Sequence, residues 1–151
     1  MDKGMNYNKN LEEKLNKTIE KAKVNMKGTI VENLLPNLVS CDFNKRVAEF
    51  SVEILPNMKN GMGITHGGVT ATIFDNCMGL LSSSIIEEGW TPTVNLQINY
   101  IKPVMVNSTL HITVRITSLG KTLINVIAEA WDENDRDRIL ATATAVFFAA
   151  K

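Results

Sequence analysis

The sequence predicts one α+β domain in which an antiparallel sheet wraps a single central helix, preceded by a helical leader. Three observations predict it. Several segments alternate apolar and polar residues at period two, the signature of half-buried strands. The stretch from Gly67 to about Ile85 is apolar on most sides and long enough to be a helix. The 151 residues suit one domain of ordinary size.

The elements follow in chain order. In residues 10–26, Leu11, Leu15, Ile19, Ala22 and Met26 recur at helical spacing, which predicts an amphipathic helix. Asn10 is placed to cap it, with Glu13 in the capping-box position. Residues 1–27 form this leader, with seven lysines and four acids, and its simplest role is a helix laid across the domain with a solvated outer face. Residues 28–151 form the domain proper. Val47 to Leu55 alternates, turning Ala48, Phe50, Val52 and Ile54 one way, and Pro56 ends it. Thr93 to Tyr100 alternates strictly, as do the residues around Leu110, Ile112, Val114 and Ile116. Ser118 to Lys121 reads as a turn. Thr122–Trp131 and Ile139–Phe148 complete the strands, joined by a charged loop over 132–138. Short links between strands imply antiparallel pairing.

Composition narrows the function. Sixteen basic and sixteen acidic side chains give zero formal charge, which argues against a dedicated nucleic-acid binder. With 44% hydrophobic and 21% charged residues, a folded state is expected. Two cysteines, Cys41 and Cys77, make no disulfide scaffold and no zinc spacing, and predict a cytoplasmic setting. No apolar signal-peptide core opens the chain, and the long weakly charged stretch over 60–86 carries five glycines, a His, two Asn and three Ser, unlike a lipid-spanning helix. A soluble protein is expected.

Two features point to chemistry. Asp75 is the only formal charge between Lys59 and Glu87, on the side of the central helix shared with Ala71, Met78 and partly Ser82. Burial there would raise its pKa toward the range useful for a general base. Position alone leaves three readings: a carboxylate kept for catalysis, one at an exposed seam, or one paired structurally with Asn76 or a distant Arg. The second feature is the glycine-rich run over 61–68 at the start of the helix, where free N–H groups and the helix dipole can bind an oxyanion. No Gly-Lys-Ser/Thr follows, so it is no P-loop. His66 alone reads as a capping or packing residue, and His111 as a surface residue on the polar side of its strand.

Gly67 and Asp75 are eight residues apart, roughly 12 Å along one helix. One carbonyl cannot bind at the first and be attacked by water held on the second. If both serve one reaction, they come from two facing subunits, which predicts a dimer with two equivalent sites.

The run Asn60-Gly61, a short gap, His66-Gly67-Gly68, then Asp75 nine residues after the His resembles the signature of hotdog-fold acyl-coenzyme A thioesterases of the PaaI type. The strand from Thr93 ending before Pro103, and the turn Ser118-Leu119-Gly120-Lys121-Thr122, resemble later parts of the same pattern. The likeness spans roughly residues 28–150. It implies a five- or six-stranded antiparallel sheet around one long helix, and dimers that pair into homotetramers with sites at the dimer interface. By the resemblance, the Gly67 N–H would polarise the thioester carbonyl. Asp75 of the facing subunit would act as general base or nucleophile, Thr93 would orient the water, and Asn60 would hold water or substrate. His66 would support the loop or donate a hydrogen bond to the thioester. Gly68 would flank the substrate beside Gly67. Lys102, Arg115 and Lys121 would meet the coenzyme A phosphates, and the acyl chain would lie on Phe74, Met78 and Leu81. Coenzyme A is part of the substrate, and neither a separate cofactor nor a metal is implied. Two other readings stand beside this one: a hotdog dehydratase of hydroxyacyl thioesters, and a non-catalytic acyl-CoA sensor.

Overall fold

The leader is longer than its apolar spacing predicts. In a computed structural model of the chain, describing residues 3–87 and 91–149, helix α1 runs Lys3–Asn25. Asn10 and Glu13 therefore lie inside it and cap nothing. The polar residues before Leu11 continue the helix because α1 has a partner there: Tyr7 stacks on Phe43 at 5.2 Å, and the Asn8 side chain accepts the Phe43 N–H. Leu11, Leu15 and Ile19 are buried in the same core as the sheet, each worth roughly 2 kcal/mol of transfer free energy. Met26, the last residue of the expected stripe, lies past the helix end and is 38% exposed. Gly28, with φ +79°, turns the chain there, in a conformation that favours glycine.

Six strands follow: β1 Asn37–Asp42, β2 Val47–Ile54, β3 Thr93–Tyr100, β4 Ser108–Leu119, β5 Leu123–Asp132 and β6 Asp135–Phe148. They form one antiparallel sheet in the order β1-β2-β4-β5-β6-β3. Helix α2, Gly67–Ile85, packs on its inner face. This is the hotdog arrangement, with six strands. The alternation fixes which side faces in: Ala48, Phe50, Val52 and Ile54 of β2, and Leu110, Ile112, Val114 and Ile116 of β4, are buried. Buried alanines at 128, 130, 141, 143 and 145 on β5 and β6 leave room for α2 to approach.

Two strand boundaries differ from expectation. β1 lacks a clean alternation and is an edge strand, so its sequence carries little signal. The β5–β6 connection is a tight turn at Glu133–Asn134 rather than a loop to 138, since β6 begins at Asp135. The charged residues join the ribbon because they find partners on the outer face. Arg136 lies 3.2 Å from Glu49 and 4.9 Å from the Trp131 ring centre. His111 belongs to this group. It is half-buried, stacked on Trp131 at 4.4 Å with Nδ1 3.2 Å from Glu49, rather than a free surface residue. The outer face is the side opposite α2, so His111 faces away from the helix.

The other sheet edge is β3. It pairs only with β6, and its apolar set is incompletely covered: Val94 and Tyr100 are exposed, Leu96 and Ile98 half-buried. Among the described residues, no helix is long and apolar enough to cross a membrane.

Candidate functional site

The sequence-predicted residues fall into two groups on one helix. The first sits at the start of α2. After the 3₁₀ turn Pro56–Met58, Asn60 closes a tight loop: its Oδ1 accepts the Met62 N–H at 2.9 Å, and its own N–H donates to Ile64 O at 2.7 Å. Gly63 completes the loop at φ +80°. His66 is the N-cap of α2, its Nδ1 accepting the Gly68 N–H at 2.9 Å. That bond leaves the ring proton of the neutral imidazole on Nε2, as a donor. His66 thus takes the capping role the sequence favours, and Gly68 serves that cap. The Gly67 N–H makes no hydrogen bond among the described residues, as expected of the first turn of a helix. Asn60, Thr65, Gly67, Tyr100 and Lys102 line a cavity of about 300 Å³ here.

Tyr100 is a site residue that sequence reasoning missed. Its hydroxyl donates to Gly67 O at 2.7 Å, and its ring lies beside Gly67. The period-two pattern counts Tyr100 only as an apolar strand residue, and no spacing rule links it to a glycine 33 positions earlier. A second unexpected feature is Thr65, whose hydroxyl is buried without a hydrogen-bond partner among the described residues.

The second group lies two turns along. Asp75 accepts a hydrogen bond from the Thr93 hydroxyl on Oδ1 at 2.7 Å. The sequence expects burial of this carboxylate; the structure leaves it half-buried on the wall of a cavity of about 580 Å³. It is paired with neither Asn76 nor an Arg. The Asn76 side chain instead donates to Leu34 O at 3.1 Å. Phe74, Met78 and Leu81, expected to carry an acyl chain, are fully buried on the sheet-facing side of α2. The correction is one of helix phase: the cavity side consists of Asp75, Asn76, Gly79, Leu80 and Ser83. Cys77 is sealed in the core, where burial pushes its thiol pKa up, so it stays a neutral thiol and not a nucleophile.

The three candidate cations are dispersed. Lys102 lines the Gly67 cavity. Arg115 is exposed on the outer face of β4, between buried Val114 and Ile116, and Lys121 borders a different cavity with Ile85 and Ile86. Among the described residues no group of three or more His, Cys, Asp or Glu could hold a metal ion. Within one chain, then, an anion-accepting corner and a hydrogen-bonded carboxylate stand about 12 Å apart on one helix.

Residues 62–139, about half of the chain, match the family model of the thioesterase superfamily. The chain belongs to that superfamily. Among curated relatives it is similar to acyl-coenzyme A thioesterase 13 of Homo sapiens, 35% identical over 88 residues, 57% of this chain and 60% of that protein. The Mus musculus protein of the same name is 33% identical over 87 residues, with the same coverage. The chain thus spans about 60% of the length of the curated relatives it matches. Among solved structures, the E. coli PaaI protein from the phenylacetic acid degradation operon superposes with TM-score 0.76 at 16% identity, over 93% of this chain and 96% of that one, which shows the shared fold. A Streptococcus mutans protein bound to acetyl CoA superposes with TM-score 0.68 at 27% identity, over 76% of this chain and 88% of that one. The superfamily match begins inside the glycine-rich run and covers Asp75 and Thr93, so both groups of this thioesterase-superfamily chain lie in or beside it.

Proposed function

We propose that this protein hydrolyses acyl-CoA thioesters to a free acid and coenzyme A, with each active site built from two protomers. The observation that carries the reading is the Thr93–Asp75 hydrogen bond on the cavity wall. With Oδ1 engaged by Thr93, Oδ2 is the oxygen left to accept a proton from water. In this reading Asp75 acts as general base, and the hydroxide formed adds to the thioester carbonyl carbon. The carbonyl oxygen, turning into an oxyanion, is stabilised by the unengaged Gly67 N–H of the facing protomer at the positive end of α2. Collapse breaks the C–S bond and releases the thiolate, a good leaving group that needs no strong acid. The Nε2–H of His66 and the Asn60 amide flank that oxyanion corner and orient the thioester, and Lys102 in the same cavity supplies charge for a coenzyme A phosphate.

A dimer fits the two-group geometry, and the incompletely covered β3 edge offers a surface for it. Further pairing into a tetramer and a cytoplasmic location are part of the same proposal. The retained Asp75–Thr93 pair supports an enzyme over a sensor. Thiol release from a panel of acyl-CoAs tests the function. Release with at least one of them is expected, whereas binding without release would identify a sensor, and hydration or dehydration without release a dehydratase.

A further inference from the structure

The cavity that holds Asp75 is not walled by the sheet and α2 alone. One side is α2 from Asp75 to Ser83, roughly 12 Å of helix. The opposite side comes from the leader and the segment that follows it: Ala22 in the last turn of α1 and Met26 just past it, then Val31 and Leu35 at the entry to the domain. Among the described residues, Asp75 is the only charged side chain on the wall. Gly79 presents no side chain midway along, and Phe147 backs it, 3.4 Å from where a Cβ would stand. Asn76, the residue after Asp75, ties the segment that follows the leader to α2 through Leu34 O.

We propose that this slot is the acyl subsite and that the leader helps wall it, so that the preferred substrates carry unbranched acyl chains of roughly eight to twelve carbons, the extended length that about 12 Å of helix from Asp75 to Ser83 accommodates. The proposal rests on the thioesterase reading and adds the substrate class. Size supports it: about 580 Å³ far exceeds the need of an acetyl group, at about 30 Å³ for a water-sized unit. Shape supports it too, because a slot two helical turns long suits an extended chain better than a single ring. With the carbonyl at Asp75 the chain runs along α2 past Gly79, covered by Met26 and Val31. Each methylene entering an apolar wall should raise kcat/KM about three- to fourfold.

The test is the ratio of kcat/KM for decanoyl-CoA to that for acetyl-CoA, in the natural protein and in the slot-filling variants Ala22→Phe and Met26→Trp. The natural protein should favour decanoyl-CoA by at least about tenfold, the gain from only two well-buried methylenes and so a floor for a chain lying in the slot, and both variants should lose most of that preference. Met26 is partly exposed, so its replacement does not disturb the core. An unchanged ratio in both variants, or a natural preference for phenylacetyl-CoA over decanoyl-CoA, would overturn the proposal. If no acyl-CoA is hydrolysed, the thioesterase reading fails and the subsite is tested by calorimetry with the thioether S-decyl-CoA. Tighter binding than S-ethyl-CoA, weakened by Met26→Trp, would uphold the slot, and equal affinities would refute it.

Discussion

The two ends of the functional stretch of α2 differ in what they offer a thioester. The start of the helix is a corner of donors: a free Gly67 amide, the His66 imidazole, and Lys102 nearby. Two turns on, the helix offers an acceptor, a carboxylate braced by Thr93 in a mainly apolar cavity. One end suits developing negative charge; the other suits a water about to lose a proton. On the proposed reading neither completes a hydrolysis alone, since one helix holds them too far apart to share a carbonyl. That difference is what leads the proposed mechanism to draw on a second copy of the chain.

The sharpest way to break this comparison is to silence the acceptor end. Asp75→Asn keeps shape and hydrogen bonding but removes the base, so kcat should fall by at least about 100-fold with the melting temperature preserved. Near-normal turnover would show that the carboxylate is structural. Thr93→Ala should cost roughly tenfold in kcat, the low end for a lost hydrogen bond to a charged group, with little change in KM. An unaltered rate would remove Thr93 from the reaction.

At the donor end the expected effect is smaller. Tyr100→Phe deletes only the bond to Gly67 O and should slow turnover roughly fivefold, in keeping with one neutral hydrogen bond. The Gly67 and Gly68 amide NMR shifts should move with it. Unmoved shifts would place Tyr100 outside the oxyanion corner.

Just beyond the acceptor end, Cys77 is buried in the core and its replacement should leave activity alone while marking stability. Its folded-state pKa is raised by burial. Its contribution is complete below the unfolded thiol pKa of about 8.5 and is lost as pH rises beyond it, because only the unfolded chain readily sheds the proton. Urea midpoints should decline between pH 8 and 10 by a component absent in Cys77→Val, given as a rough window set by that unfolded pKa. Equal slopes would contradict it.

Much of this was legible in the sequence, for physical reasons. β2 and β4 show clean period-two patterns because one face of each is buried, β3 keeps the pattern although its apolar set is only partly covered, and α2 is marked by its opening glycines and its run of apolar residues. Asp75 stands out as the lone charge in that run. What escaped has equally physical causes. β1 is an edge strand with little to bury. The length of α1 depends on the Phe43 contact, which no local propensity reports. Helix phase misled at Phe74 and Met78: apolar character marks them as buried but does not distinguish a core-facing side from a ligand-facing one. Tyr100 and the leader wall of the cavity are long-range juxtapositions that only the folded chain brings together.

The shared site is tested most directly by pairing two dead variants. Gly67→Pro removes the amide donor at a position where proline suits the first turn of a helix, and His66, at φ −62° and ψ 134°, already has the backbone that precedes a proline. Asp75→Asn removes the base. Each variant alone should be nearly inactive. Co-expressed with separate tags and assayed in thiol release, the mixture should regain roughly a quarter of natural activity, since half of random dimers are mixed and each carries one intact site. A mixture as inactive as its parents would contradict the account.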